Sequence, residues 1–549
     1  MLGLMQGTPL VLSSLIDHAA RVHGSVEVVS RIEGGATIRS DYRGIARRAR
    51  RLAAALRRLG VRPGQRVASL AVNSARHLEL YYGVTGAAAI LNTVNPRLHP
   101  EQVRYIIDHA DNQYVFFDPA FLDIIEVVRK DLPQVRGFVA LCERARLPET
   151  NLPDLLCFEE LLDCEEDTAP WSPVDEADGA ILCYTSGTTG APKGVLYSHR
   201  SLVLHAFCGV AADGMDLSRR DSVLLVTPLF HVNAWGIPFS AAMCGAKLVL
   251  PGAALDGESL YTLMRDEGCT FSLGVPTVWL NFLDFISTQA ERLNLSSLAL
   301  ERVLVGGSAA PRAMIEKFDW LLGVYVIHAW GMTETSPLAT IGTPLPEHAK
   351  LERQARYDIQ ARQGRAIYGV EIRIVDECGA TLPSDGVAAG ALQVRGPWVV
   401  QSYFKSDELA VDTDGWFSTG DVARLYPDNT LQITDRIKDV IKSGGEWISS
   451  IDLENVAAEH PDVREAAVIA VPHPKWQERP LLIVAPKPGA APTRENLLDF
   501  LAGRVPRWWL PDDVVLVAAL PHSATGKILK RELRETYRDH LTAANQGAL

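Results

Sequence analysis

The chain has 549 residues, a formal net charge of −12, 47% apolar residues and 22% charged residues. That length is too great for one core and implies two or more domains. The acidic balance excludes a protein that coats nucleic acid but leaves room for a local basic site, and the composition is that of an ordinary soluble globular enzyme.

The eight cysteines lie scattered with no CxxC pair, which points to reduced thiols in a cytoplasmic protein rather than a disulfide frame or a zinc site. The first residues, Met1-Leu-Gly-Leu-Met-Gln-Gly-Thr-Pro9, lack a basic region ahead of a long apolar stretch, so no signal peptide is expected. No uninterrupted apolar run reaches membrane length.

In chain order, short apolar runs at Val67–Val72, Ala180–Cys183, Val195–Tyr197, Val223–Val226, Lys247–Leu250, Thr270–Val275, Arg302–Val305 and Val324–His328 read as strands. Helical patterns such as Leu260–Glu267 and Ala313–Leu321 separate them. This alternation predicts parallel sheets with helices on their faces. From about Gly364 the texture changes to short alternating strands, Val370–Val375 and Ala391–Arg395, with turns at Glu377-Cys-Gly379 and Ser384-Asp-Gly386. It changes again near Asp435-Arg436. The remainder reads as a strand at Lys438–Ser443, a helix at Ile451–Glu459, strands at Ala466–Val471 and Leu481–Val484, a helix at Arg494–Leu501 capped by Thr493, a strand at Val514–Val517 and a basic helix from Ile528. At about 110 residues this last unit has the size of a separate small domain.

Between two of the strands lies Tyr184-Thr-Ser-Gly-Thr-Thr-Gly-Ala-Pro-Lys-Gly194. Its glycines let backbone N–H groups approach an anion, its hydroxyls add donors and Lys193 adds charge, so it reads as a phosphate cradle. It is not a Walker A loop, because no hydroxyl follows the lysine to hold magnesium. Trp330-Gly-Met-Thr-Glu-Thr335 follows a strand, where open α/β sheets place ligands, and Glu334 is suited to hold magnesium beside a phosphate. Val305-Gly-Gly-Ser-Ala-Ala-Pro311 approaches a nucleophile elbow but has Ala310 in place of the closing glycine, so backbone contact with a flat ligand fits it better. In Ser418-Thr-Gly-Asp421 an aspartate after a tight turn suits the two hydroxyls of a ribose. Asp435-Arg-Ile-Lys-Asp-Val-Ile-Lys-Ser-Gly-Gly445 lies at the domain junction, and Pro521-His-Ser-Ala-Thr-Gly-Lys-Ile528 presents one lysine before a helix.

Together and in this order, the six segments resemble the adenylate-forming superfamily: acyl-CoA synthetases, luciferases and peptide-synthetase adenylation domains. The resemblance covers nearly the whole chain. It implies a mixed α/β fold with a large N-terminal domain, residues 1–436, made of two βαβ-type sheets and a small β-barrel-like subdomain from about residue 364. A small mobile C-terminal lid, residues 437–549, hinges near Lys438. It implies ATP, Mg2+ and coenzyme A as cofactors, with a homodimer as the expected assembly. A carboxylate would attack the α-phosphate of ATP to give acyl-AMP and pyrophosphate, and a thiol would then displace AMP.

By the same resemblance, Thr185, Ser186, Gly187, Thr188, Thr189, Gly190 and Lys193 hold the phosphates, and Glu334 with Thr188 binds magnesium. Thr333 touches the α-phosphate beside Gly331 and Met332; Ser308, Ala309, Ala310 and Trp330 flank the adenine. Asp421 and Arg436 hold the ribose. Lys438 is the hinge and Lys527 bridges carboxylate and α-phosphate. Lys442, Ser443, Gly444 and Gly445 form the loop brought in for thioester formation. The acid pocket is assigned His231, Val232, Trp235, Gly306, Gly307, Met332, Pro337 and Leu338, with His231 as the gate and Trp235 shortening the cavity toward short or medium acids. Trp330 stands where many relatives carry tyrosine, and Trp447 where others carry a polar or basic side chain near the phosphate; an indole N–H can donate one hydrogen bond but brings no charge. Trp235, Gly444-Gly-Glu-Trp-Ile-Ser449 and Arg507-Trp-Trp-Leu-Pro511 together resemble ligases for medium-chain fatty acids or 3-(methylthio)propionate. An amino-acid-activating domain is disfavoured because residues 233–235 offer no aspartate for an amino group. A luciferase-like or aryl-acid enzyme and a non-catalytic nucleotide sensor are the remaining alternatives.

Overall fold

The computed structural model describes residues 3–32, 35–153, 155–185, 191–443, 446–522 and 527–541. A nine-stranded sheet runs in the order Arg365–Ala366, Leu338–Ile341, Tyr325–Gly331, Arg302–Val305, Phe271–Gly274, Ser222–Leu225, Lys247–Leu250, Glu27–Arg31 and Thr37–Asp41. Its interior pairings, from Tyr325–Gly331 through Glu27–Arg31, are parallel. A seven-stranded sheet runs Leu155–Cys157, Gly137–Ala140, Asn112–Phe117, Arg66–Leu70, Ile90–Thr93, Gly179–Tyr184 and Gly194–Ser198. It is parallel except for its last pairing. These strands are short apolar runs because both faces of each sheet are covered.

The helix Ala75–Gly86 lies between the two sheets and is buried from His77 to Gly86. A helix closed in on every side loses the usual polar stripe. Its tyrosines therefore need buried partners for their hydroxyls: Tyr82 donates to Pro238 O at 2.7 Å and Tyr81 to Leu229 O. Gly83 lets the helix pack onto Tyr42–Arg58, since a Cβ there would lie 2.6 Å from the Leu52 side chain. The second helix begins on an Asp41 cap that accepts from Gly44 N, and it turns Ile45, Ala49, Leu52 and Leu56 inward while Arg43, Arg47 and Arg58 face out.

The β-rich subdomain is a four-stranded antiparallel sheet, Glu371–Val375, Ala389–Arg395, Phe417–Leu425 and Leu431–Arg436, joined in chain order as an open run of pairings. The small C-terminal domain is a five-stranded sheet built on the hairpin Val463–His473 and Gln477–Pro486. Both strands run longer than the apolar stretches that mark them, because the register carries on through polar pairs to His473 opposite Gln477. Alternate residues feed two cores. Val468, Leu482 and Val484 face one, while Ile469, Leu481 and Ile483 face the other. The helix Arg494–Leu501 begins on the Thr493 cap, which accepts from Asn496 N. Among the described residues no helix is long and apolar enough to cross a membrane.

Four enclosed histidines are held neutral. Burial pulls His77, His199, His205 and His328 down from 6.5 to about 4. His199 Nδ1 accepts from Leu12 N at 3.2 Å, and His77 bridges Ser69 Oγ and Val72 O. A ring whose folded value is depressed takes up its proton first in the unfolded chain. Its contribution is therefore complete above 6.5 and is lost as pH falls toward about 4. The thermal unfolding midpoint should drop steeply across that window, and a flat midpoint from pH 7 to 4.5 would contradict this account.

Candidate functional site

The strands Gly179–Tyr184 and Gly194–Ser198 pair antiparallel, so the Thr/Gly-rich segment is the loop of a hairpin at the end of a parallel strand. Its neck is closed by Thr185 N donating to Lys193 O at 2.9 Å. Lys193 is exposed, and its ammonium sits 4.7 Å from the centre of the Tyr403 ring. The candidate phosphate contacts Ser186, Gly187, Thr188, Thr189 and Gly190, the loop glycines Gly444 and Gly445, and the Trp447 side chain lie outside the described residues.

The strand Tyr325–Gly331 delivers the second segment. Gly331 is obligatory there, since a Cβ would lie 2.0 Å from Pro337 O. Met332 N donates to Pro337 O and to Thr335 Oγ1, and Tyr197 donates to Thr333 O at 2.7 Å. Glu334 is buried, with burial pushing its carboxyl above the usual range. Tyr403 donates to its Oε1 at 2.8 Å.

Trp330 Nε1 donates to Asp421 Oδ2 at 3.0 Å, and Arg436 Nε lies 3.3 Å from Asp421 Oδ1. The tryptophan thus gives the candidate ribose carboxylate a donor besides Arg436. Burial raises the Asp421 carboxyl, and Arg436 and the indole N–H oppose that rise. In the Ser308-Ala309-Ala310 segment, Ala310 N donates to His328 Nε2 at 3.2 Å, while His328 Nδ1 meets Ala361 O at 3.0 Å. The carbonyl fixes the proton on Nδ1 and leaves Nε2 to accept.

From the small domain, Lys527 comes within electrostatic reach of Arg436, Asp421, Glu334 and Lys438, and burial above all pulls it down to about 8. It acts on His231 as well. The contacts that set this arrangement are Ser449 Oγ donating to Thr434 O at 2.5 Å and Ser450 N donating to Asp435 Oδ2 at 2.6 Å. Lys438, between them and the lid, is exposed. His522 is directed elsewhere, pairing with Glu465 at 3.1 Å. Lys442 N and the Ser443 hydroxyl find their partners inside the small domain, on Glu478 and Arg479, not in the cluster around Lys527.

The segment assigned to the candidate acid pocket has an uncommon backbone. Val232, Asn233, Ala234 and Trp235 all have positive φ, from 45° to 57°, followed by Gly236 at 81°. A left-handed turn of non-glycine residues costs roughly 1–2 kcal/mol per residue, so the surroundings must impose it. All five residues are buried. His205 fills the far side: its Nε2 accepts from Leu338 N at 3.1 Å, and a Cβ on Gly236 would lie 2.6 Å from its Nδ1. The turn aims Trp235 at the Gly306-Gly307 backbone, where a Cβ on Gly306 would sit 3.3 Å from the indole edge. Met332, Pro337 and Leu338 continue the same region, with Leu338 tied to His205.

The sequence patterns single out neither Tyr403, His328 nor His205. Each is one ordinary residue outside any recognisable motif, and its partner is distant in the chain.

Comparison with known proteins matches residues 16–404 to the family described as AMP-binding enzyme, and residues 452–527 to the AMP-binding enzyme C-terminal domain. The chain is 48% identical over 542 residues to the 3-methylmercaptopropionyl-CoA ligase of Ruegeria lacuscaerulensis, covering 99% of this chain and all of that one. It is 49% identical over 547 residues to the medium-chain-fatty-acid–CoA ligase of Ectopseudomonas oleovorans, with both chains covered completely. Among solved structures it is similar to the anthranilate CoA ligase AuaEII in complex with anthranoyl-AMP, with a TM-score of 0.86, 25% identity, and 98% and 100% of the two chains covered.

Replacing Trp330 by Phe keeps a ring in place but removes a donor to a buried carboxylate. ATP affinity measured by calorimetry should weaken about tenfold, the scale of a lost hydrogen bond to a charged group. Unchanged affinity would detach Trp330 from the nucleotide site.

Proposed function

We propose, from the premise that this chain belongs to the AMP-binding enzyme family and is an ATP-dependent acyl-CoA ligase, that its acid is short to medium in length, with 3-(methylthio)propionate as one such substrate. The observation that carries the reading is the convergence of Lys527 from the small domain on Glu334 and Asp421 of the large one. A carboxylate and a triphosphate repel each other, so catalysis must supply positive charge where they meet. The acid oxygen forms a bond to the α-phosphorus, and the bond from that phosphorus to the bridging oxygen breaks, releasing pyrophosphate. Lys527 lies between both anions. Asp421 and Arg436 hold the ribose, and Ser308, Ala309 and Ala310 border the adenine.

Magnesium takes oxygen ligands and commonly uses one or two carboxylates plus substrate phosphates. Glu334 fits that demand: it is buried beside the phosphate hairpin, and its Oε2 has no side-chain donor among the described residues. Bound there with ATP, the metal would neutralise phosphate charge. Glu334 would hold it, with Thr188 as the second contact.

The thioester step needs a different face of the small domain. In our reading the chain divides at residues 436 and 437, and Lys438 is the hinge. Rotation withdraws Lys527 and brings in the loop from Lys442 to Gly445, one lid serving two reactions. The arrangement described above, with Lys527 inward, is that of the adenylation half-reaction. Support for the hinge is that Lys438 is exposed and that Thr434 and Asp435, just before it, each meet the small domain through one polar bond. The eight free cysteines support a cytoplasmic setting. The relatives' names favour a fatty or thioether acid over a luciferase-like or aryl acid.

The test is a panel of C2 to C12, aromatic and thioether acids with ATP and CoA, read as AMP formed. Short and medium acids should lead, and a profile peaking at C12 or at aryl acids would overturn the proposal. On the same panel Trp235→Ala should move the preference to longer acids, whereas an unaltered profile would place Trp235 in the core alone. Lys527→Ala should cut acyl-AMP formation by roughly two to three orders of magnitude, as expected for loss of a charge stabilising the transition state. It should spare most thioester formation from supplied acyl-AMP. Equal loss in both halves would remove the lid mechanism.

A further inference from the structure

We infer that Tyr403 is a positioning residue for adenylation: it holds the Glu334 carboxylate and the Lys193 ammonium apart on one phenol, so that each meets its own part of the magnesium-bound triphosphate. The inference rests on the reading of Glu334 and Lys193 given above. The hydroxyl donates to Glu334 Oε1 at 2.8 Å, and the ring face carries the Lys193 ammonium 4.7 Å from its centre. The two groups carry opposite charge, the carboxylate buried and the ammonium exposed. Yet among the described residues no ion pair joins them. The ring takes the cation on its negative face, and the hydroxyl takes the anion at its tip.

The backbone is built to hold the ring there. Val400 N donates to Glu334 O at 2.8 Å, and Phe404 N donates to Gly194 O at 2.8 Å. Ser336 Oγ donates to Trp398 O at 2.8 Å, and Trp398 Nε1 to Leu338 O at 3.1 Å. The stretch from Trp398 to Phe404 therefore clasps the phosphate hairpin and the carboxylate loop together, with Tyr403 pointing into the gap between their two charged groups. Without the phenol, the carboxylate would lose its donor and the ammonium its ring. The hydroxyl also occupies Oε1 of the carboxylate and leaves Oε2, which would hold the metal, as second-shell partners do.

The test uses the full chain with Tyr403→Phe, Tyr403→Leu and Glu334→Gln beside the wild type. ATP binding is measured by calorimetry with and without MgCl2, and pyrophosphate–ATP exchange is titrated with magnesium. Tyr403→Phe keeps the ring, so it should bind ATP normally without magnesium. It should need about tenfold more magnesium to tighten that binding, with the KM for the acid unchanged. Tyr403→Leu should in addition lose about threefold in magnesium-free affinity, because the cation has lost its ring. A magnesium requirement unaltered in Tyr403→Phe but raised in Glu334→Gln would overturn the inference, as would a fall in kcat alone. No change in either variant would instead overturn the reading of Glu334. If Tyr403→Leu does not fold, Tyr403→Phe decides alone.

Discussion

The structure depends on a constraint of charge: two anions must be brought into contact, and the protein must pay for their repulsion with groups taken out of water. The cluster around Lys527 shows how the cost is spread. Burial pulls the lysine toward neutrality and pushes Glu334 and Asp421 toward protonation, while their mutual attraction opposes both trends. Each group is strained alone and eased by its neighbours. Arg436 serves both sides, pairing with Asp421 and raising the cationic field that Lys527 feels. Such a cluster is electrostatically incomplete until a phosphate and an acid enter it.

Because one member of that cluster arrives on a separate domain, charge and conformation are coupled. Lys527 belongs to the lid, whereas Glu334, Asp421 and Arg436 belong to the large domain. Removing the lid's lysine leaves the carboxylates with less compensation, so the inward arrangement has its own electrostatic reward. The bonds at Thr434 and Asp435 fix the docking geometry next to the junction. Lys530, bound to Ser450 and Glu454 and in the field of Asp435, extends the tie into the lid.

Much of this was legible in the sequence. The apolar runs marked the parallel strands, and glycine, hydroxyl and charge in short polar segments marked the strand ends where the site forms. Those features are local, so pattern and spacing find them. Tyr403, His328 and His205 are not local. Tyr403 meets Glu334 across 69 positions, and His205 meets Leu338 across 133. Nothing adjacent distinguishes them from core residues. The family resemblance puts Trp330 beside the adenine, but its bond to Asp421 depends on how the β-rich strands lie against the strand Tyr325–Gly331. The subdomain boundary itself was visible as a change of texture, whereas the open order of its strands was not.

The turn at Val232–Gly236 is where local preference and final structure conflict most. Valine and tryptophan resist positive φ, and no composition rule would place four such residues in succession there. The turn persists because it is enclosed: Tyr81 holds Leu229 O, Asn73 Oδ1 accepts from Leu229 N at 2.7 Å, and His205 fills the space beside Gly236. These supports come from the turn after the strand Arg66–Leu70, from the helix Ala75–Gly86 and from the helix His199–Val210. The shape of this turn is therefore a property of the whole interior rather than of its own segment. A change deep in the core, at Asn73 or His205, can move Trp235 against Gly306 without touching the pocket. The same enclosure explains why a strained turn is useful here: relaxation toward ordinary helix would swing the indole off the glycine backbone, and the close packing around it leaves no room for that motion.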